Sequence, residues 1–122
     1  MIVCDASTLI ALTDERDAHN ERALEIALAD ESLVASVVNL AEALAGPDAE
    51  RREAHLRAVA GVESVGVPAD AAPRLGELRR QMKLKLPDCI ALELAERGGH
   101  RLATFDRRLE AAAVTRGLSV LS

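Results

Sequence analysis

Aromatic residues are almost missing from this sequence: Phe105 stands alone, with no tryptophan or tyrosine among 122 residues. The core must therefore be aliphatic, and hydrophobic residues, nearly all Ala, Leu and Val, supply 49% of the chain. That content excludes a disordered chain and fits one globular domain spanning residues 1–122. Cysteine is scarce too. Cys4 and Cys89, without a CxxC spacing, point to neither a disulfide framework nor a zinc site, and a reduced cytoplasmic compartment is expected. No long hydrophobic run exists. Met1-Ile2-Val3-Cys4 is too short for a signal peptide or a membrane span, so no membrane partner is expected. His19, His55 and His100 are scattered, and Ser7 has no His or Lys nearby in sequence to activate it as a nucleophile.

The formal net charge of −5 hides an asymmetry. Residues 1–72 hold 5 Lys/Arg against 14 Asp/Glu, a balance of −9, whereas residues 73–122 hold 10 against 6, a balance of +4. The basic residues gather at Arg74, Arg79, Arg80, Lys83 and Lys85, and again at Arg107 and Arg108. They are either solvated helix faces or a basic side that lets an acidic protein hold a polyanion.

Short apolar runs alternate with helical patterns along the chain. Ile2-Val3-Cys4 reads as a strand ended by Asp5, followed by a helix capped by Ser7 and reaching about Leu12. Residues 17–30 form a helical pattern with Ala23, Leu24, Ala27 and Leu28 on one face. Leu33-Val34-Ala35 reads as a second strand, and Ser36 caps a helix that stops at Gly46-Pro47. A helix is expected over 48–60, ended by Gly61, then a strand from Val62 to Val67. Pro68 opens a loop, and Pro73 suits the first turn of a helix reaching about Met82. Pro87 starts a helix closed by Gly98-Gly99. Arg101 to Thr104 is a strand, 105–116 a helix ended by Gly117, and Leu118 to Leu121 a last strand. Strands that alternate with helices in this way make a parallel sheet covered on both faces, a three-layer α/β domain.

Ligands of an open parallel sheet bind outside the carboxyl ends of its strands. Asp5 follows the first strand, and Asp106 lies two residues after the strand ending at Thr104. Glu42 lies in the helix after the second strand, with Asn39 three residues before it on the same face. Asp88 falls in the first turn of the helix opened by Pro87, where the helix dipole favours a carboxylate. Taken singly, Asp5 and Asp106 can be helix caps, Asp88 a dipole complement and Glu42 a solvated helix residue. Together, four acids converging on one sheet edge repel unless a cation neutralises them. Oxygen donors without His or Cys suit Mg²⁺ or Mn²⁺, which activates water and stabilises charge on a phosphodiester. Ser7 and Thr104 can add hydroxyls beside the ion.

These segments resemble the PIN-domain family, in particular the ribonuclease toxins of VapBC-type toxin–antitoxin pairs. The matching stretches are Ile2-Val3-Cys4-Asp5-Ala6-Ser7, Asn39-Leu40-Ala41-Glu42, Leu86-Pro87-Asp88-Cys89-Ile90-Ala91 and Leu102-Ala103-Thr104-Phe105-Asp106, in order over nearly the whole chain. The resemblance implies a three-layer α/β/α domain around a parallel sheet of about five strands, and Mg²⁺- or Mn²⁺-dependent cleavage of RNA. It implies Asp5, Glu42, Asp88 and Asp106 as catalytic metal ligands, with Ser7, Asn39 and Thr104 as supporting polar residues. A small cognate antitoxin and a homodimer or toxin–antitoxin hetero-oligomer are implied as well. Many family members carry a further acid two residues beyond the position of Asp106, then an aromatic. Arg108 and Leu109 stand there, which weakens support for a second ion and makes Arg107 and Arg108 candidate phosphate contacts. With Phe105 as the only ring, a structured RNA recognised by shape and phosphates is expected rather than stacked bases. The alternative is a PIN-like interaction module that has lost activity, against which all four acids stand. A haloacid-dehalogenase-type phosphatase would need an acid at position 7, where Ser7 stands.

Overall fold

The strands begin with β1, Ile2–Cys4, whose three side chains divide between two layers. Ile2 and Cys4 pack into one apolar cluster and Val3 into another. This alternation is the period-2 geometry of a strand buried on both faces. In the computed structural model, which describes all 122 residues, β2 (Leu33–Ser36), β3 (Glu63–Val65), β4 (Arg101–Ala103) and β5 (Val120–Leu121) complete the sheet. All four strand pairings are parallel, in the order β3-β2-β1-β4-β5. Ile2 pairs with Leu33 on one side and with Arg101 on the other.

The helices α1 (Ala6–Thr13), α2 (Asn20–Ala27), α3 (Val37–Ala43) and α4 (Ala49–Ala54) follow the first two strands. Leu9, Leu12 and Ile26 from this group, with Leu56 just beyond α4, cover one face of the sheet together with Ile2, Cys4 and Leu33. The other face is covered by α5 (Ala72–Met82), α6 (Leu86–Gly98) and α7 (Arg107–Thr115). Leu75, Leu78, Leu92 and Leu109 pack there on Val3, Val34 and Leu102. Each such leucine stabilises the fold by ~1.5–3 kcal/mol on burial. The expected three-layer architecture and five-stranded parallel sheet are what the chain forms.

Local departures from expectation have identifiable causes. Ser7 does not cap α1. Asp5 does, accepting from Thr8 N, because Asp5 is the last extended residue before the turn. The 17–30 pattern shortens to α2, and its buried stripe is Ala23 and Ile26, while Leu24 and Leu28 face solvent. Residues 14–19 are spent instead on a turn in which Asp17 accepts from His19 N. The 48–60 helix is interrupted: α4 gives way to a π-helical turn over His55–Val59, which drops Leu56 into the core. The strand expected over 62–67 forms only at Glu63–Val65, at the sheet edge. Gly99 ends α6 in the left-handed region at φ 65°, as its lack of a Cβ permits.

The chain winds outward from β1 through β2 to β3, then returns beside β1 with β4. The order therefore reverses between β1 and β4, and the carboxyl ends of those two strands flank the crevice where such folds place a ligand.

Candidate active site

Asp5 and Asp106 sit at the two sides of that reversal point, one after β1 and one after β4. Asp5 is 3% exposed, and both of its carboxylate oxygens accept hydrogen bonds. Its Oδ1 accepts from Ser7 Oγ at 2.7 Å and Thr8 N at 3.0 Å, and its Oδ2 accepts from Thr104 Oγ1 at 2.5 Å. Thr104 Oγ1 in turn accepts from Asp106 N at 3.0 Å, and Ser7 Oγ accepts from Phe105 N at 2.9 Å. Two hydroxyls thus stitch the turn after β1 to the turn after β4. Asp106 caps α7, its Oδ1 accepting from Arg108 N and Leu109 N at 2.9 and 3.1 Å.

On the opposite side, Ser36 caps α3 and donates from Oγ to Asn39 Oδ1 at 2.7 Å. Asn39, 1% exposed, donates from Nδ2 to both Glu42 Oε1 at 3.3 Å and Pro87 O at 3.1 Å. One amide therefore holds the Glu42 carboxylate and ties α3 to the start of α6, at the residue before Asp88.

Asp88 is half-buried and accepts no hydrogen bond through its carboxylate. Burial comes first among the forces that push its carboxyl up from 3.8 to about 6, and the negative charges of Asp106, Asp5 and Glu42 add to it. Lys85 acts in the opposite direction. Asp5, Glu42 and Asp106 thus each lie within electrostatic reach of Asp88. In this arrangement no three Asp, Glu, His or Cys side chains enclose a common point closely enough to hold an ion. Uncompensated like charges favour that separation. The donor set still fits a hard divalent cation: every candidate atom is oxygen, and Asp88 is an acid under strain with no donor of its own.

Arg107 and Arg108 stand exposed in the first turn of α7, beside Asp106. His19 and Phe105, 86 positions apart in sequence, stack with ring centroids 4.3 Å apart and planes 3° from parallel. Nothing in the spacing announced this pair. A surface cavity of about 580 Å³, lined by none of the four acids, lies between Arg74, Glu77, Glu93, Arg97 and Arg116. Its charges neutralise one another through the Arg74–Glu93, Arg97–Glu93 and Arg116–Glu96 ion pairs.

No curated protein sequence matches the chain. Solved structures do. A VapC toxin of Mycobacterium tuberculosis that cleaves the sarcin–ricin loop is 24% identical, with a TM-score of 0.77 over 92% of this chain and 95% of its own. A toxin–antitoxin complex from Klebsiella pneumoniae is 27% identical, with a TM-score of 0.69 over 87% of each chain. The VapBC pair of Rickettsia felis, bound to a promoter DNA fragment, is 17% identical at a TM-score of 0.70, covering 98% and 97%. The PIN domain pattern matches residues 2–114. With that match running through both sides of the β1–β4 reversal, the chain belongs to the PIN domain family.

Proposed function

We propose that the chain is a single-domain, Mg²⁺- or Mn²⁺-dependent endoribonuclease, the toxin of a type II toxin–antitoxin pair, acting on structured RNA in the cytoplasm. The observation that carries this reading is the Asp88 carboxyl, pushed up to about 6 by burial and by three other acids. A protein that binds nothing at this edge has no reason to keep four carboxylates in that conflict. Asp5, Glu42, Asp88 and Asp106 would hold the ion. Bound there, it supplies the Lewis acidity that turns water into a nucleophile near neutral pH and offsets charge on the phosphodiester.

The chain's own residues do the positioning. Ser7 and Thr104 fix both oxygens of Asp5, and Asn39 aims Glu42. Arg107 and Arg108 bind phosphates flanking the scissile one, since a guanidinium fork matches two phosphate oxygens. No helix of the chain is long and apolar enough to cross a membrane. The antitoxin partner is supported by the Klebsiella pneumoniae complex at 27% identity, and assembly as a homodimer or toxin–antitoxin hetero-oligomer follows from the same reading.

The test is cleavage of a hairpin RNA by the purified chain with Mn²⁺, with excess chelator, and with Asp5→Asn. Cleavage is expected only with Mn²⁺ and is expected to fall at least ~100-fold in the variant, the scale at which removing a group needed for transition-state stabilisation acts. Undiminished cleavage in chelator, or an unimpaired Asp5→Asn, overturns the mechanism.

A further inference from the structure

The fifteen Lys and Arg residues are not equivalent in how they are used. Eight of them (Arg16, Arg22, Arg51, Arg57, Arg74, Arg97, Arg101 and Arg116) pair with carboxylates. Arg52 is turned inward onto the carbonyls of Ala43 and Pro47. The remaining six, Arg79, Arg80, Lys83, Lys85, Arg107 and Arg108, have no carboxylate within 4.0 Å. All six fall at the end of α5, in the α5–α6 loop, or in the first turn of α7. These segments adjoin Asp88 and Asp106 in the chain, and Lys85 lies close enough to Asp88 to oppose the rise of its carboxyl, so unpaired positive charge borders the acidic centre.

That border is not flat. A groove of about 320 Å³ runs between the α5–α6 loop and α7, lined by Met82, Lys83, Leu84, Arg108, Ala111 and Ala112, with Thr115 at its end. Leu84 and Ala112 form a buried apolar floor, and the two cations stand exposed on opposite rims. Lys83 is held there by backbone: it caps α5 in the left-handed region at φ 54°, its N–H donating to Arg79 O. A lysine in that conformation costs up to ~1–2 kcal/mol relative to glycine, so the chain keeps a charged side chain where a cheaper residue fits. The groove's volume lies at the low end of the ~300–1,000 Å³ of small-ligand sites, the size of one nucleotide.

We propose that this groove binds the nucleotide adjoining the scissile phosphate of the RNA, an assignment that rests on the nuclease reading above. Lys83 and Arg108 take the phosphate from opposite rims, and the sugar and base lie on Met82, Leu84 and Ala112. Thr115 is the only neutral polar side chain on the wall, so the subsite tolerates any base. Arg108, whose guanidinium makes no ion pair with Asp106, faces this groove rather than offsetting the carboxylates.

The test is fluorescence anisotropy with a labelled hairpin RNA, on the full chain carrying Asp5→Asn so that the RNA survives, in chelator and over a range of KCl. Lys83→Met and Arg108→Met are each expected to weaken binding about 5- to 10-fold and to reduce the salt slope by about one phosphate contact. Ala111→Glu, at an exposed wall position, is expected to weaken it about 10-fold by placing a carboxylate in the groove, whereas Ala111→Gln leaves binding within about twofold. Equal melting temperatures establish that the exposed substitutions leave the fold intact. Adenosine monophosphate is expected to shift the amide signals of residues 82–84 and 111–115 more than inorganic phosphate does. Binding within twofold of the parent for both Lys83→Met and Ala111→Glu overturns the assignment, as do identical shifts from phosphate alone. Loss of antitoxin binding with RNA affinity intact would assign the groove to the protein partner instead and equally overturn it. The nuclease reading is scored separately, by Mn²⁺-dependent cleavage in the unsubstituted chain, so either can fail alone.

Discussion

Replacing Asp88 by Asn is expected to stabilise the metal-free protein at neutral pH and to leave it unchanged in acid. The carboxyl moves from 3.8 to about 6 on folding, so between those values the folded chain holds a proton that the unfolded chain has released. Stability therefore falls as pH rises through that window. The penalty is complete above pH 6 and vanishes below about pH 4, where both states are protonated. A shift of two units corresponds to ~3 kcal/mol, which solvent screening of a half-exposed group reduces to ~1–2 kcal/mol. Asn forgoes ~0.5 kcal/mol of interaction with the α6 dipole, leaving a net gain of ~1 kcal/mol and a melting point ~3–4 °C higher. The assay is thermal denaturation by circular dichroism, parent against variant, in chelator across pH 4–7.5. Added Mn²⁺ is expected to reverse the order, because the parent keeps the carboxylate that an ion stabilises. A variant less stable at every pH, or a difference that does not change with pH, refutes the reasoning.

Two further outcomes are open to measurement. Thr104→Val keeps the shape of a fully buried residue but leaves Asp5 Oδ2 and Asp106 N each without a partner, so a loss of ~2–3 kcal/mol in urea unfolding and at least a tenfold fall in cleavage are expected, with Thr104→Ser restoring most of both. Glu93→Gln breaks a pair in which a 4%-exposed carboxylate is held between Arg97 at 3.0 Å and Arg74 at 3.7 Å, and ~1–2 kcal/mol is expected to be lost without any effect on cleavage, since none of the four acids lines this cavity.

What could be read ahead of the structure follows from what is local in the chain. Ile2-Val3-Cys4 before Asp5, Pro87 before Asp88 and Gly99 after α6 each specify an element boundary through neighbouring residues, and those boundaries hold. The failures are long-range. Leu24 and Leu28 satisfy helical periodicity as well as Ile26 does, and only the packing of α2 decides which is buried. The π-helical turn at His55–Val59 has no composition signal, because it arises from fitting Leu56 between the helices and the sheet. Of the candidate acids, Asp5 and Asp106 follow strands, Asp88 falls in the first turn of a helix and Glu42 lies within one, all placements readable from neighbouring residues. The Asn39 bridge to Pro87 O spans 48 positions and the Ser7–Phe105 link 98, so neither pairing can be read from spacing.

Capping and metal binding look like rival explanations for these acids, but the geometry makes them compatible. Asp106 spends only Oδ1 on the first turn of α7, leaving Oδ2 without a protein donor. Asp5 uses both oxygens, yet a carboxylate offers about four lone-pair sites and the three donors fill three. Glu42 accepts one bond from Asn39, and Asp88 none. The four acids therefore grade from the most fixed, Asp5, to the least, Asp88. A cage rigid on every side would have to keep four charges packed together in the free protein, at a cost that grows as water is excluded. Fixing two acids through backbone caps and hydroxyl ties, while leaving Asp88 without a donor, lets the fold hold most of the geometry that the proposed ion would need, with the remaining repulsion left for that ion to cancel. On that account, if an ion binds as proposed, Asp88 is expected to be the residue whose position changes most on adding Mn²⁺, and Asp5 the one that changes least.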